Sequence, residues 1–352
     1  MDVAKTTPPV GPTPAEPPQS ATSLSASAVS NAPANATGED ETAANPTGRQ
    51  FAISGGGYRA VVTEVGAGLR ELGHHGNGTL RPLVLGFGEQ ETVRSGAGQL
   101  LAPWPNRVAG GRYRFDGEER QLDISEPARG NAIHGLVRWA SWAVCEHAPD
   151  RVVLTHRLHP HPGYPHTLDL TAVYAVSEAG LEVEVRARNL GPTAAPYGYA
   201  AHPYLTPGIA PGSGTIDQWT LHVPAQHWLS VDERMIPTGT ADVDASPYDF
   251  RSPRAVGATS LDTAFGGLQR ELDGIGRVRV SEPDGGAVTL WMDRGLEWIQ
   301  VFTADPLPGA WKRAGVAVEP MSCPPDAFNS GTDVVRLEPG GEVGHRWGIH
   351  AG

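Results

Sequence analysis

Leu181-Glu-Val-Glu-Val-Arg-Ala-Arg188 alternates apolar and charged residues along its whole length. A β-strand points successive side chains to opposite faces, so a period of two marks a strand with one buried and one wet face. The same texture extends outward on both sides. Upstream lie Arg59–Val65, Leu80–Phe87, Arg151-Val-Val-Leu-Thr-His-Arg-Leu158 and Leu168-Asp-Leu-Thr-Ala-Val-Tyr-Ala-Val176. Downstream lie Trp219–Val223, Val278–Ser281, Ala287–Met292, Trp298–Thr303 and Arg346–His350. Hardly any segment keeps a 3.6-residue period for three turns. The 44 Gly and 32 Pro fall where hairpins and crossovers need them. Many short strands with regular turn signals predict an all-β chain folded as one large β-sandwich over 49–352, without an internal repeat.

The first 48 of the 352 residues have another character. They contain no Phe, Trp or Tyr and are dominated by Pro, Ala, Ser, Thr, Asn and Gly. Such a segment cannot bury enough apolar surface to offset its ordering entropy, and we expect 1–48 to be disordered. Its start, Met1-Asp-Val-Ala-Lys5, has neither the basic n-region nor the apolar h-region of a signal peptide. No stretch approaches the ~18 apolar residues of a membrane span. The expectation is a soluble, cytoplasmic protein with no membrane partner. A net charge of -12 and the absence of any Lys or Arg run argue against nucleic acid.

Several chemical signals fail on their own terms. Cys145 and Cys323 could pair, but two cysteines are not a disulfide framework. Cys323 has no His or Asn beside it to make it a nucleophile. Gly66-Ala-Gly68 lacks the third glycine of a nucleotide-binding turn. His156, His159, His161 and His166 fall partly in a Pro-rich loop without a defined ligand spacing, which suits a solvated loop better than a metal site.

Three polar islands stand out against the β background. In Gly315-Val-Ala-Val-Glu319 a short buried strand ends on a carboxylate, and Pro320, Pro324 and Pro325 are expected to stop the strand and stiffen the loop after it. Asn131-Ala-Ile-His134-Gly135 and Tyr199-Ala-Ala-His202-Pro203-Tyr204 each place a histidine at a strand–loop junction. Singly, these read as a solvated strand end and two packed histidines. Together they fit a two-His-one-carboxylate metal site, a nucleophilic triad or an acid–base pair with a second His as helper. The triad lacks any Gly-x-Ser-x-Gly elbow.

From about Phe51 to His350 the chain resembles the aldose 1-epimerases, or galactose mutarotases. Six islands carry the likeness in order: Pro105-Asn106-Arg107-Val108, Asn131–Gly135, His202-Pro203-Tyr204, Leu261-Asp262-Thr-Ala-Phe265, Trp298-Ile-Gln300 and Val318-Glu319–Asn329. Pro203, where many members have Ser, and the long N-terminal segment depart from the pattern. The resemblance implies a β-supersandwich and an isomerase acting on a small sugar, with no cofactor and no metal. It implies Glu319 as base at O1, His202 as acid at the ring oxygen and His134 as a hydrogen-bonding helper. His202 should then be protonated near neutral pH, favoured by the carboxylate. Asn106, Arg107, Tyr204, Asp262 and Gln300 would bind the sugar, and Trp139, Trp298 or Trp311 would stack on it. Two other readings stand beside this one. One is a non-catalytic carbohydrate-binding module. The other is a mutarotase of a phosphorylated hexose, which would need further cations near the cleft; Arg112, Arg114 and Arg138 are candidates, though they read as ordinary strand residues.

Overall fold

A computed structural model describes residues 45–352 apart from 77, 209–214 and 284. Most of the expected N-terminal segment lies outside these. Residues 45–48 do not behave as a tail: Thr47 is buried and its carbonyl accepts from Val65 N at 3.0 Å. The packed structure therefore starts a few residues before the boundary expected from composition.

The described residues form antiparallel sheets with one full helical turn, Ala327–Ser330. A nine-stranded sheet runs in the order Ala143–Ala148, Arg151–Leu158, Leu168–Ser177, Gly180–Asn189, Glu342–Ala351, Ala287–Met292, Gly276–Ser281, Thr220–His222 and Arg254–Ala255. Leu181–Arg188 lies beside its central strand, Glu342–Ala351. Leu181, Val183, Val185 and Ala187 are buried, while Glu182, Glu184, Arg186 and Arg188 face outward, as the period of two requires.

An eight-stranded sheet carries the chemistry. Its order is Pro237–Asp242, His227–Val231, Asp262–Gly266, Trp298–Phe302, Val316–Met321, Ala200–Ala201 and Leu100–Leu101, with Tyr204–Leu205 also paired to Val316–Met321. A four-stranded meander covers Gln50–Gly55, Tyr58–Thr63, Leu69–Gly76 and Thr79–Pro82. One apolar core joins the three sheets, drawing Ile53 and Val62 from the meander, Val183 and Val185 from the nine-stranded sheet, and Ile299, Val301, Val316 and Val318 from the eight-stranded one. Burying each such side chain contributes about 1.5–3 kcal/mol.

The Glu319 strand departs from expectation. It does not stop at Val318 but runs through Pro320 to Met321, with Glu319 opposite Gln300 and Pro320 opposite Ile299. A proline inside a sheet removes one donor, so it is tolerated where no acceptor waits. Val318 N and Ser322 N donate to Pro203 O and Tyr199 O, so the missing Pro320 donor would point to the same side. There the neighbouring chain is interrupted, between the short strands Ala200–Ala201 and Tyr204–Leu205.

Candidate active site

The eight-stranded sheet sets the central row of the site by register alone. Met321 pairs with Ala200 and Ala317 with Tyr204, which places His202 opposite Glu319. On the other side Glu319 pairs with Gln300, and Gln300 with Ala264. His202, Glu319 and Gln300 therefore stand side by side on one rung across three neighbouring segments. Parity does the rest: Val316 and Val318 enter the core, while Glu319 goes to the opposite face. His202 Nε2 lies 3.2 Å from Glu319 Oε1, and both side chains are buried. Asp262 is two residues before Ala264 on the same face, and its Oδ1 accepts from Gln300 Nε2 at 2.6 Å.

The rim comes from the ribbon Arg107–Ala109 paired with Asn131–Ile133. Asn106 and His134, just outside it, both have left-handed backbones (φ 48° and 64°), and His134 N donates to Asn106 O at 2.8 Å. Gly135 is left-handed too. A Cβ there would lie 2.0 Å from Ala102 O, so the His-Gly pair is required by close approach to the Ala102 backbone. The His134 ring meets the His202 ring edge-on, with centroids 5.6 Å apart. The proline-rich loop after Glu319 braces this ribbon: Asp326 N donates to Arg107 O at 2.7 Å, and Asp326 Oδ1 accepts from Ala109 N at 2.8 Å.

Glu126 was not singled out in the sequence. It grips Arg107 through two parallel bonds, Nε to Oε2 at 2.9 Å and Nη2 to Oε1 at 3.0 Å, and also accepts from Arg129 and Asn131. No local pattern marks it, because its meaning lies in a contact across 19 positions.

The eight expected site residues, Asn106, Arg107, His134, His202, Tyr204, Asp262, Gln300 and Glu319, all line one cleft of about 310 Å³, together with Arg129, Arg138, Trp139 and others. Tyr204 also makes contacts within the protein. Its ring stacks on His202 (5.2 Å, 23°), and its hydroxyl donates to Ser95 O at 3.1 Å, so its proton is already in use. Of the three candidate stacking tryptophans only Trp139 lines the cleft; Trp298 donates to Asp333 and Trp311 packs edge-on against Tyr204. Arg112 and Arg114 stand on the hairpin Arg112–Phe115/Glu118–Gln121, outside the cleft. A larger cavity, about 630 Å³, is lined by Leu80, Phe87, Trp311 and the paired Arg59 and Glu71, and it contains no histidine. Size favours that cavity, but the gathered acid–base groups favour the smaller cleft.

Burial sets the protonation of the central pair. It raises the Glu319 carboxyl well above the usual range, with the Asp262 charge adding and Arg107 opposing. It drives His202 down to about 4, partly opposed by the residue's own backbone and reinforced by Arg138. His134 is pushed well down as well, by burial first and then by His202, Arg138 and Arg107. The expected protonated His202 is thus opposed by burial, which disfavours the imidazolium.

Four buried polar atoms on these residues have no partner in the protein: Glu319 Oε2, Gln300 Oε1, His134 Nδ1 and His202 Nδ1. Native interiors leave few such atoms unpaired, and here several are gathered in one cleft. Among the described residues, no three His, Cys, Asp or Glu side chains converge in the manner of a metal site. His156 is bonded to Ser141 O, whereas His166 packs on Phe115 and Tyr164. Cys145 is exposed and Cys323 buried, so they do not pair, and burial pushes the Cys323 thiol up to about 12. No helix among the described residues is long and apolar enough to cross a membrane.

A family model described as Aldose 1-epimerase matches residues 49–350. The uncharacterized protein YihR of Escherichia coli (strain K12) is 37% identical over 296 residues, 84% of this chain and 90% of its own length. The galactose mutarotase of Homo sapiens is 28% identical over 290 residues, 76% of this chain and 83% of its own. The solved structure of the GalM/aldose epimerase homologue from C. elegans matches with a TM-score of 0.75 over 86% of this chain and 98% of that one. Its sequence identity of 20% makes this a likeness of fold.

Proposed function

The chain belongs to the aldose 1-epimerase family, a family of isomerases, and on that premise we propose that its cleft interconverts the α and β anomers of an aldohexose, glucose and galactose being the parent sugars. The observation that carries the proposal is the buried pair of His202 and Glu319, set opposite each other by strand register with Nε2 3.2 Å from Oε1.

Exchanging anomers requires opening the hemiacetal. The O1 proton must leave, the C1–O5 bond must break, and O5 must gain a proton. In the proposed reaction the Glu319 carboxylate takes the proton from O1 while protonated His202 gives one to O5. The pair then holds protonated Glu319 and neutral His202. After rotation about C1–C2, that same state closes the ring on the other face, Glu319 returning its proton to O1 as His202 takes the one on O5. The two arrangements of one proton thus serve the two half-reactions. Desolvation favours the neutral arrangement, and a bound sugar's hydroxyls help stabilise the charged one. Acid and base groups so placed contribute about 10²- to 10⁴-fold each.

In the same proposal Asn106, Arg107, Asp262 and Gln300 bind hydroxyls, Arg107 being aligned by Glu126. His134 hydrogen-bonds near the ring oxygen, Tyr204 positions the His202 ring, and Trp139 offers an exposed face at the rim. A non-catalytic sugar-binding module has no use for an acid and a base sharing one proton. Polarimetry of freshly dissolved α-D-galactose and α-D-glucose, corrected for spontaneous mutarotation, tests the reading. Catalysed decay of rotation is expected; sugar binding without acceleration would leave the binding module as the answer.

A further inference from the structure

We propose that Ser95, at the tip of a strained turn beside His202, binds the exocyclic C6 hydroxyl of the sugar. This deepens the epimerase reading and rests on it.

The eight-stranded sheet extends the row of site residues one step beyond His202. From Gln300 the row passes through Glu319 to His202, and the next chain across is the segment leading into Leu100–Leu101. His202 N donates to Gln99 O at 3.1 Å, and Gly98 N donates to His202 O at 2.9 Å. This segment therefore lies on the flank of His202 opposite Glu319. It arrives there through the turn Arg94–Ala97, closed by Ala97 N donating to Arg94 O at 2.9 Å. The turn divides two cavities: Glu91 and Arg94 line the larger one, whereas Val93, Ser95 and Gly96 line the cleft.

Ser95 and Gly96 both have left-handed backbones, φ 47° and 76°, as the two central residues of a type I′ turn do. Asn, Asp and Gly favour the first of these positions, and a serine is held there at a cost. The turn is fixed from several sides. Leu69 N donates to Gly98 O at 2.9 Å, and the Tyr204 hydroxyl donates to Ser95 O at 3.1 Å. The Gln99 side chain donates to Arg138 O at 2.8 Å, Arg138 itself standing in a turn and not on the strand expected for it. Gly96 passes so close to the imidazole that a Cβ would lie 2.8 Å from His202 Cδ2 and 3.2 Å from Nε2, the nitrogen that faces Glu319. The Ser95 backbone is thus pinned, while its hydroxyl has no hydrogen-bond partner among the described residues and the residue is exposed on the cleft wall. Strain of this kind persists where the surroundings over-determine it, and it clusters at ligand sites.

The placement selects C6. A pyranose ring oxygen is bonded only to C1 and C5. With O1 at Glu319 and O5 at His202, C1 lies toward Glu319, and C5 with its exocyclic C6 lies toward the segment on the other flank of His202. Ser95 is the polar side chain that the turn offers the cleft, its neighbours there being Val93 and Gly96. A serine hydroxyl both donates and accepts, so it can meet the rotating O6–H of a hexose in either sense.

The test compares kcat/KM for galactose and glucose with that for their 6-deoxy counterparts, in the wild type and in Ser95→Gly. Glycine keeps the left-handed turn and removes only the hydroxymethyl group. In the wild type each parent sugar should exceed its 6-deoxy form by about 3- to 10-fold, the range of one hydrogen bond, with the difference in KM. In Ser95→Gly that ratio should fall close to one, while turnover of the 6-deoxy sugars and the thermal midpoint are retained. Ser95→Asn, which the turn also accepts, should keep part of the ratio. Thr92→Gly, in the same loop but outside the cleft lining, should leave it unchanged. If the wild type is indifferent to O6, or Ser95→Gly loses equally on parent and 6-deoxy sugars, this inference fails and the epimerase reading stands. If no sugar of either kind turns over in the wild type, both fail.

Discussion

As the proposed acid–base pair, Glu319 and His202 share one proton, and the atom that carries it decides which half-reaction they can serve. Under the proposed mechanism Glu319→Gln is nearly isosteric with the protonated acid but cannot accept the O1 proton. We predict a loss of about 10²- to 10⁴-fold in kcat with an unchanged thermal midpoint. A variant within a few-fold of wild type would remove Glu319 from the chemistry. The pair also sets the pH dependence of kcat/KM. Below about 4, His202 gains a second proton for the pair and Glu319 can no longer take one from the sugar. At high pH the single proton leaves, later than for an ordinary carboxylate because Glu319 is raised. An acid limb near pH 4, with the alkaline limb displaced above the ordinary carboxylate range, is expected from initial rates; an acid limb near 6.5 would mean that His202 titrates as an exposed imidazole. Both residues were legible as charged or titratable groups at the ends of apolar runs. Glu126 was not, since it acts through a distant arginine.

The elements that position these residues were legible where one period governs them. Leu181–Arg188 and Leu168–Val176 pair in one hairpin, register Leu168↔Asn189 to Ser177↔Gly180, with little change of bounds. Val316–Met321 was cut short in the reading because a proline normally ends a strand, and only the break in the neighbouring strand explains why Pro320 does not. The later prolines then have another task. They lead into Asp326, which braces the Arg107 ribbon as well as following the base. Two predictions belong here. Gly135→Ala puts a Cβ against Ala102 O in a left-handed backbone, and should cost about 1–3 kcal/mol or more in denaturant titration. Wild-type stability would mean that the His134–Gly135 turn relaxes freely. Glu126→Gln removes the charged half of the Arg107 fork, so KM should rise about tenfold with a smaller change in kcat. An equal fall in kcat at fixed KM would mean that Arg107 acts in the transition state instead.

At the scale of the whole molecule, alternation revealed a large antiparallel sandwich, but strand order was hidden, because Gly180–Asn189 pairs with Glu342–Ala351 across some 160 residues and no local pattern encodes that partner. The last strand also carries a buried group outside the cleft. His345 is stacked between Tyr197 and Tyr199, with centroids 6.0 and 5.3 Å away, and neither ring nitrogen has a well-formed hydrogen bond. Burial drives it down to about 4, the Gly295 backbone opposing only in part. Unfolded, the same imidazole takes a proton near 6.5, so between about 6.5 and 4 the unfolded chain binds more protons than the folded one. Stability is therefore fully present above 6.5 and falls as pH drops through that window, by up to ~3 kcal/mol for this residue. His202 and His134 act in the same direction, but Glu319, raised above its unfolded value, gains stability as pH falls and partly cancels them. His345 is thus the cleaner reporter. His345→Phe keeps an aromatic ring between the two tyrosines and removes the titrating group. Denaturant midpoints measured from pH 7 to pH 4 should fall less steeply in this variant than in the wild type, with the two closest near pH 7. Parallel curves would show that His345 is as readily protonated in the fold as outside it, and that the acid sensitivity of the sandwich arises at the cleft histidines.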